Sequence, residues 1–374
     1  MMADGQDSGE RGGGGKAASG NPGAVMEIAS IPLAIEWQSR HCEEAGAPGT
    51  AMVVRALLAL EDSEAATARR IFGWQGLTLK DALPLRINGG LHNLVLSGED
   101  TRLAAVYGGQ VRDQAHADAL VRELVETYDT RLLPWLDGPP QTNEAGRSAS
   151  LMAGLLWLAE LVCPRFEMLE IGSSAGINTM MDRYFFDLGG RTVGPAGSPM
   201  RIGPEWKGEA PPATSPEIVS IRGCDIAPVD LTDEEAALRL KSYVWPEASE
   251  RMHRIDAARE LAMESPPDIA RLDAAGFVTQ ALGHDQAEGT TRVLFHSIVW
   301  QYVPDFQQDA VIEAMEEAAA SASPGRPLAW LSLETNRKTF AHELVARYWD
   351  GAAKGEPHLL ASAHPHGAWV EWLA

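Results

Sequence analysis

Residues 167–178 read EMLEIGSSAGIN and predict a buried strand that ends in a tight loop. The apolar run up to Ile171 is short, as in strands that are buried on both faces. The small residues between Gly172 and Gly176 allow the backbone to turn sharply and to approach a neighbouring group closely. A helix is predicted to follow, with apolar side chains on one face at Ile177, Met180, Met181 and Tyr184.

Segments typical of strands and of helices alternate between residues 167 and 335. Strands are predicted in EIVSIRGCD, which ends at Asp225, in VLFHSIV, which contains His296, and in RPLAWLSLE, which ends at Glu334. This alternation predicts an α/β fold with a doubly wound, mostly parallel sheet, and strands near the C-terminus would add an antiparallel hairpin. Ligands of such sheets bind beyond the carboxyl ends of the strands.

The composition restricts the partners of the chain. Its 31 Lys and Arg against 52 Asp and Glu give a formal net charge of −21, which repels nucleic acid and anionic membranes. The widely spaced Cys42, Cys163 and Cys224 predict neither a disulfide framework nor a Cys-rich zinc site. With no visible secretory signal, we expect a cytoplasmic protein with a small-molecule substrate and no nucleic-acid or membrane partner. The oligomeric state is left open.

The loop of residues 170–176 fits two motifs at once. Glu170 to Gly176 approximates the E-x-G-x-G-x-G loop of adenosyl-cofactor sites, and Gly172 to Gly176 spells G-x-S-x-G, which presents a nucleophilic Ser174 in serine hydrolases. A hydrolase also needs a downstream acid and histidine, which Asp305 or Glu334 and then His364 or His366 would supply. It needs four sheet strands before the elbow as well, where this sequence predicts helices and has no HGGG-type run.

Glu170 favours the cofactor interpretation. A carboxylate at the end of a strand that is buried on both faces is costly unless it has a partner. A ligand with an ammonium group or sugar hydroxyls would provide that partner, because a carboxylate accepts hydrogen bonds from both.

On these residues, the loop resembles motif one of class I S-adenosylmethionine-dependent methyltransferases. Glu170 stands at the acidic position of that motif, and Gly172 and Gly176 at its first and third glycines, whereas Ser174 replaces the middle glycine. The resemblance implies S-adenosylmethionine as the cofactor. The predicted cofactor site comprises Glu170, Gly172, Ser173, Ser174, Gly176, Asn178 and Asp225. Asp225 either binds ribose hydroxyls at the end of the second strand or caps the next turn.

Several longer strings together resemble a bacterial family known as domain of unknown function 2332. They include LPLRINGGLHNLVLSG, QTNEAGRS, RGCDIAPVDLTDEEAALRLKSYVWPE and AHPHGAWVEW. The resemblance runs from about residue 30 to the C-terminus and implies a cytoplasmic bacterial protein without assigning its chemistry. We predict three parts: a disordered Gly-rich tail (1–24), a helical domain (25–140) and a Rossmann-like, methyltransferase-type domain (141–374).

Four further residues are candidates for substrate binding or catalysis. His296, at the predicted end of a strand, is a candidate general base or a hydrogen-bonded core histidine. Asn143 and Arg147 precede the helix that leads into the first strand, and Arg147 would bind a carboxylate or form an inter-domain salt bridge. His92 is a candidate substrate contact or a structural residue. His364 and His366 suggest no third ligand, so no metal is predicted.

The function predicted from the sequence is methyl transfer from S-adenosylmethionine to an unknown small molecule. A serine hydrolase that uses Ser174 is one alternative, and a non-catalytic ligand-binding or regulatory protein on the same fold is the other. The number of strands before residue 167 discriminates between the first two: none is expected for the methyltransferase fold and four for the hydrolase.

Overall fold

The computed structural model describes residues 28–374 of the chain. The tail predicted to be disordered, residues 1–24, lies outside this range. The helices are α1 (Ile31–Glu44), α2 (Pro48–Ala56), α3 (Ala66–Phe72), α4 (Leu83–Leu96), α5 (Ala104–Tyr107), α6 (Gln114–Thr127), α7 (Asp129–Leu132), α8 (Ser148–Leu158), α9 (Glu234–Ser242), α10 (Ser249–Glu264), α11 (Ala274–Leu282) and α12 (Asp305–Ala319). None of these is both long and apolar enough to cross a bilayer.

The strands all follow α8 within the described residues. They are β1 (Arg165–Ile171), β2 (Phe185–Leu188), β3 (Arg191–Val193), β4 (Arg201–Ile202), β5 (Glu205–Lys207), β6 (Glu217–Asp225), β7 (Ile269–Arg271), β8 (Thr291–Ser297), β9 (Leu328–Thr335), β10 (His342–Trp349), β11 (His358–Ala363) and β12 (Trp369–Trp372). No strand occurs in residues 28–164, so β1 opens the sheet.

The main sheet has nine strands in the order β5-β12-β11-β10-β9-β8-β1-β6-β7. The five strands from β9 to β7 in this order are parallel, whereas β10, β11 and β12 each pair antiparallel with the strand before them. The prediction of an α/β protein with a large, mostly parallel sheet is confirmed. The predicted terminal hairpin is part of a longer antiparallel meander. A second, three-stranded sheet of β3, β2 and β4 occupies part of the Gly- and Pro-rich segment after residue 184.

Helices cover both faces of the central strands. Phe166 and Met168 of β1 pack into one cluster with the apolar side chains of α8. Leu169 and Ile171 point to the opposite face, where they pack with α11 and α12. Because side chains alternate along a strand, every residue near the end of β1 faces one of these two layers.

The helix predicted directly after the loop is wrong in type and length. Residues Asn178–Arg183 form a short 3-10 helix, and the chain is extended from Tyr184 onward. The backbone N–H of Phe185 donates to Met200 O (3.0 Å), and β2 then pairs with β3 and β4. The small sheet therefore takes up residues that the apolar spacing assigned to a helix.

Helix α8 supports the α8 face of the sheet and is apolar on all sides. Leu155 is fully buried in the cluster that joins α8 to the sheet, whereas Leu161, just after the helix, is 43% exposed. We expect Leu155→Ala to lower the free energy of unfolding by about 2–5 kcal/mol, because it removes packed methyl groups and leaves a cavity. Leu161→Ala should change it by less than about 0.5 kcal/mol. Urea unfolding of both variants measures the difference, and equal effects would show that α8 does not carry the core.

Candidate functional site

The loop after β1 lies where the strand order reverses. From β1 the chain continues to β6 and β7 on one side of the sheet, and β8 and β9 lie on the other side. In open α/β sheets, such a reversal leaves a crevice beyond the carboxyl ends of the strands, and ligands bind there. Gly172, Ser174 and Gly176 have φ angles of 69°, 53° and 72°, so the loop turns through three left-handed residues. Ser174 adopts this conformation without being glycine, which costs energy.

Two predicted site residues hold the loop in this shape. The carboxylate of Asp225, at the end of β6, accepts hydrogen bonds from the backbone N–H groups of Ser174 (2.9 Å) and Ala227 (2.8 Å). The Asn143 side-chain oxygen accepts from the N–H groups of Ala175 (3.2 Å) and Ile177 (2.9 Å). The structure thus brings Asp225 and Asn143 to the predicted cofactor loop, where both contact its backbone.

Three buried polar atoms of the same segment lack hydrogen-bond partners. They are Oε2 of Glu170, Oγ of Ser174 and Oδ1 of Asn178, and no atom of residues 28–374 bonds to them. Their residues are 2%, 6% and 1% exposed, respectively. Buried polar groups are nearly always paired, so an unpaired set within nine residues marks a place where a partner is missing. Two of the three atoms are acceptors, and a ligand with N–H or O–H donors would satisfy them.

The environment of Glu170 changes its protonation. Burial raises the pKa of Glu170 from 4.5 to about 7, although the nearby side chains of Ser173 and Asn178 and the charge of Arg147 act in the opposite direction. Near neutral pH this carboxyl is therefore divided between its acid and its ionised form. Perturbed carboxyls of this kind cluster at functional sites.

Gly172 is needed for packing inside the protein. A Cβ built on Gly172 would lie 2.2 Å from Cγ2 of Val299, in the loop that follows β8. The sequence predicted that small residues here allow a ligand to approach the backbone. In the structure, the side chain of Val299 makes that close approach.

Arg147 lies beside the site but is bound to the backbone of other loops. Its Nε donates to Pro365 O (2.8 Å) and its Nη1 donates to Ser297 O (3.2 Å). Burial lowers the pKa of this guanidinium, and the charge of Glu144 raises it again. Arg147 thus connects the end of β8 to the turn between β11 and β12. Its positive charge acts to lower the pKa of Glu170.

The sequence did not indicate the charged cluster around Arg147. Glu144 accepts a hydrogen bond from Arg251 Nε (2.5 Å) and lies 3.5 Å from Arg254 Nη1, both on α10. Burial and the neighbouring cations Arg251 and Arg147 lower the pKa of His366 to about 2, so it is neutral. These residues are far apart in the chain, and no local spacing links α10 to the segment before α8. Only the sheet topology brings them together.

Two predicted site residues lie elsewhere. His92 belongs to α4 and faces α9, where its Nδ1 lies 3.1 Å from Ser242 O. Its ring is edge-on to Tyr107, and burial lowers its pKa to about 4. His296 shares a face of β8 with Leu294, which packs against α11 and α12. Glu170 shares a face of β1 with Met168, which packs with α8. The alternation of side chains therefore places Glu170 and His296 on opposite faces of the sheet.

His364 and His366 form a turn. Gly367 N donates to His364 O (2.9 Å), and the N–H of His366 donates to Nδ1 of His364 (3.1 Å). In the part of the chain that the structure describes, no three His, Cys, Asp or Glu side chains converge as metal ligands.

The fold and the loop define an α/β protein with a candidate ligand site at the carboxyl ends of its parallel strands. The chain belongs to the bacterial family described as "Uncharacterized protein conserved in bacteria (DUF2332)", which it matches over residues 33–372. The resemblance to this family is thus confirmed. No curated protein and no solved structure gives a significant match to the chain. The resemblance to methyltransferases stays a prediction.

The contact between Gly172 and Val299 predicts a coupled pair of substitutions. Gly172→Ala should destabilise the protein, because it adds left-handed strain of about 1–2 kcal/mol and a clash with Val299. Val299→Ala removes Cγ2, the nearest atom, and leaves Cβ at 2.9 Å, so it reduces the clash. The double variant should therefore be destabilised by roughly 1 kcal/mol less than the sum of the two single effects. Gly190→Ala is the control, because its φ is 89° with no atom within 4 Å of the added Cβ. Urea unfolding of the four proteins measures the coupling, and simple additivity would contradict the contact.

The raised pKa of Glu170 predicts a pH dependence of stability. Between pH 4.5 and about 7 the folded protein binds more protons at Glu170 than the unfolded chain does, so stability falls as pH rises through this window. Over the whole window the free energy of unfolding should fall by about 3 kcal/mol. Glu170→Gln should remove this loss and be more stable than wild type at pH 8, whereas Glu313→Gln, exposed on α12, should not. Urea titrations from pH 4 to 8 test this, and parallel curves for wild type and Glu170→Gln would refute it.

Proposed function

We propose that the protein binds S-adenosylmethionine at the loop after β1 and transfers its methyl group to a small molecule. The observation that carries the proposal is the unpaired, buried Oε2 of Glu170 at the end of β1, next to the unpaired Oδ1 of Asn178. The ammonium group and the ribose hydroxyls of this cofactor are the donors that such acceptors need. Strand order supports the proposal as well, because the loop lies at the reversal point of a parallel sheet.

The residues present fit the cofactor at two points. Glu170 and Asn178 would accept its hydrogen bonds, and Asp225 and Asn143 would keep the loop in its turned shape. The bound cofactor supplies a methyl group on a positively charged sulfur, which an attacking atom of the substrate takes up in line. The chain contributes the enclosure, since the carboxyl half of β1 is shielded from water on both faces.

Arg147 and its neighbours would help to orient charged groups in this site. Arg251 and Arg254 pair with the buried Glu144, and Arg254 pairs with the exposed Glu250 as well. Arg147 donates only to backbone carbonyls, so the three guanidinium groups exceed these two carboxylates by one positive charge. Such an excess favours a carboxylate, either of the cofactor or of the substrate. The role of His296 as a general base stays a prediction. Its side chain lies on the face of the sheet opposite to Glu170.

The hydrolase alternative finds less support. A nucleophilic serine needs a base within hydrogen-bond distance, but Oγ of Ser174 has no partner of any kind among the described residues. No strand precedes β1 in residues 28–164, whereas the hydrolase fold requires four. The non-catalytic alternative uses the same binding site and differs from the proposal only in that no methyl group is transferred.

A thermal-shift titration tests the binding. At a hundredfold excess over Kd, S-adenosylmethionine or S-adenosylhomocysteine should stabilise the folded protein by about 2.7 kcal/mol. For a chain of this size that corresponds to a rise in Tm on the order of 5 °C. Glu170→Gln should lose most of this rise while remaining folded, because it removes the charge and keeps the shape, and Glu313→Gln should retain the rise.

Three outcomes would overturn the proposal in whole or in part. Wild-type protein that is folded and free of bound nucleoside, yet unshifted at millimolar cofactor, would refute cofactor binding. Stoichiometric labelling of Ser174 by a fluorophosphonate, lost in Ser174→Ala, would establish the hydrolase instead. Binding without transfer to any of a panel of amines, phenols and carboxylates would favour the non-catalytic alternative.

A further inference from the structure

A cavity of about 380 Å³ lies on the face of the sheet opposite to Glu170. It opens between α12 and the strands β8, β9 and β10. Three tryptophans form much of its wall, namely Trp300, Trp330 and Trp349, and Ile312 and Met315 of α12 close the other side. A volume of this size is within the range of small-molecule sites.

Two of the tryptophans and His296 pack ring against ring in the wall of the cavity. Trp300 stacks on His296 with ring centroids 5.1 Å apart and planes at 19°, and it stands edge-on to Trp330 at 5.6 Å and 69°. Indole rings thus form a large part of the surface that a ligand would meet. The face of an indole ring attracts cations more strongly than that of any other side chain.

Glu334 gives the cavity a fixed negative charge. Its Oε1 accepts from Nδ1 of His296 (2.7 Å) and from the backbone N–H groups of Val299 (3.0 Å) and Trp300 (3.2 Å). Burial by itself would raise the pKa of Glu334, but the hydrogen bonds from His296, Val299 and Trp300 act in the opposite direction, and the pKa is lowered. The carboxylate is therefore ionised at neutral pH.

His296 adds a second polar atom beside this charge. Its Nδ1 is engaged with Glu334, so Nε2 is the ring nitrogen that remains for a ligand. This Nε2 is buried and bonds to nothing within residues 28–374. Of the remaining charged residues that line the cavity, Arg347 is exposed and donates to Gly355 O (3.0 Å), and Glu316 is acidic. The net charge of −21 on the whole chain also attracts cations.

We propose that this cavity is a binding site for an organic ammonium ion with an aromatic or alkyl body. The ammonium group lies near Glu334 and Nε2 of His296, and the body packs between the tryptophan rings. The proposal is independent of the adenosyl site, which lies on the other face of the sheet.

Phenethylammonium and its neutral counterpart 2-phenylethanol test the class of ligand. The two probes share the ring and the chain length and differ in the charged group. Quenching of tryptophan fluorescence, confirmed by calorimetry, measures both affinities on the full-length protein. We expect saturable binding of the ammonium ion, at least about tenfold tighter than that of the alcohol, from the charge and the cation–π contact.

Two variants and one matched control locate the site. Glu334→Gln keeps an oxygen that accepts the same hydrogen bonds and removes the charge, so it should weaken the ammonium ion about tenfold and leave the alcohol unchanged. Ile312→Trp fills the cavity from α12 and should abolish binding of both probes. Glu313→Trp adds the same side chain at the next, exposed position, outside the cavity, and should affect neither probe.

Four results would overturn the proposal. Equal affinity for the two probes would show an apolar site without charge recognition. Equal weakening of both probes by Glu334→Gln would show that Glu334 acts only through the structure of the loop after β8. Absence of saturable binding of phenethylammonium up to about 10 mM, or binding that survives Ile312→Trp, would show that the cavity is not the site.

Discussion

The enclosure of β1 is the constraint on which the candidate site depends. Residues Met168 to Glu170 are paired on both edges, with β6 and β8, and β1 is covered on both faces by helices. A carboxyl group at this place has no water to hydrate it, so its ionised form is disfavoured and its oxygen lacks a partner. The same enclosure would exclude water from a reaction at the end of the strand. The perturbed pKa of Glu170 and the proposed chemistry thus have one physical cause.

Two left-handed residues shape the loops above β1 and β8. Ser174 and Ile298 have φ angles of 53° and 52°, and neither is glycine. Ile298 is β-branched, for which this conformation is a true outlier. Both loops are held by carboxylates that accept backbone N–H groups, Asp225 in the first and Glu334 in the second. Strained residues of this kind persist where the surrounding contacts hold them in place, and they are frequent at ligand sites.

The sheet separates two sets of unpaired polar atoms. Glu170 faces the α8 side, where the charge of Arg147 acts on it, and His296 faces the α12 side, beside the tryptophans. The atoms on the α8 side favour a ligand that donates hydrogen bonds. The atoms on the α12 side favour a cation with an apolar body. A protein with both would bring two different small molecules to the carboxyl ends of neighbouring strands.

The sequence by itself determined the elements and the position of the loop. Periodicity and turn chemistry reveal local properties. These include the alternation of strands and helices, the Gly and Ser residues after Ile171 and the position of Asp225 at the end of a strand. Its error arose where a distant contact competes with local spacing: Asn178–Arg183 is a 3-10 helix because the chain turns away to pair in β2. The packing of Val299 against Gly172 is a further distant contact that no local pattern indicates. Only the tertiary structure decided which face each strand residue presents and which arginines meet Glu144, because strand order and helix docking bring together residues that no sequence spacing connects.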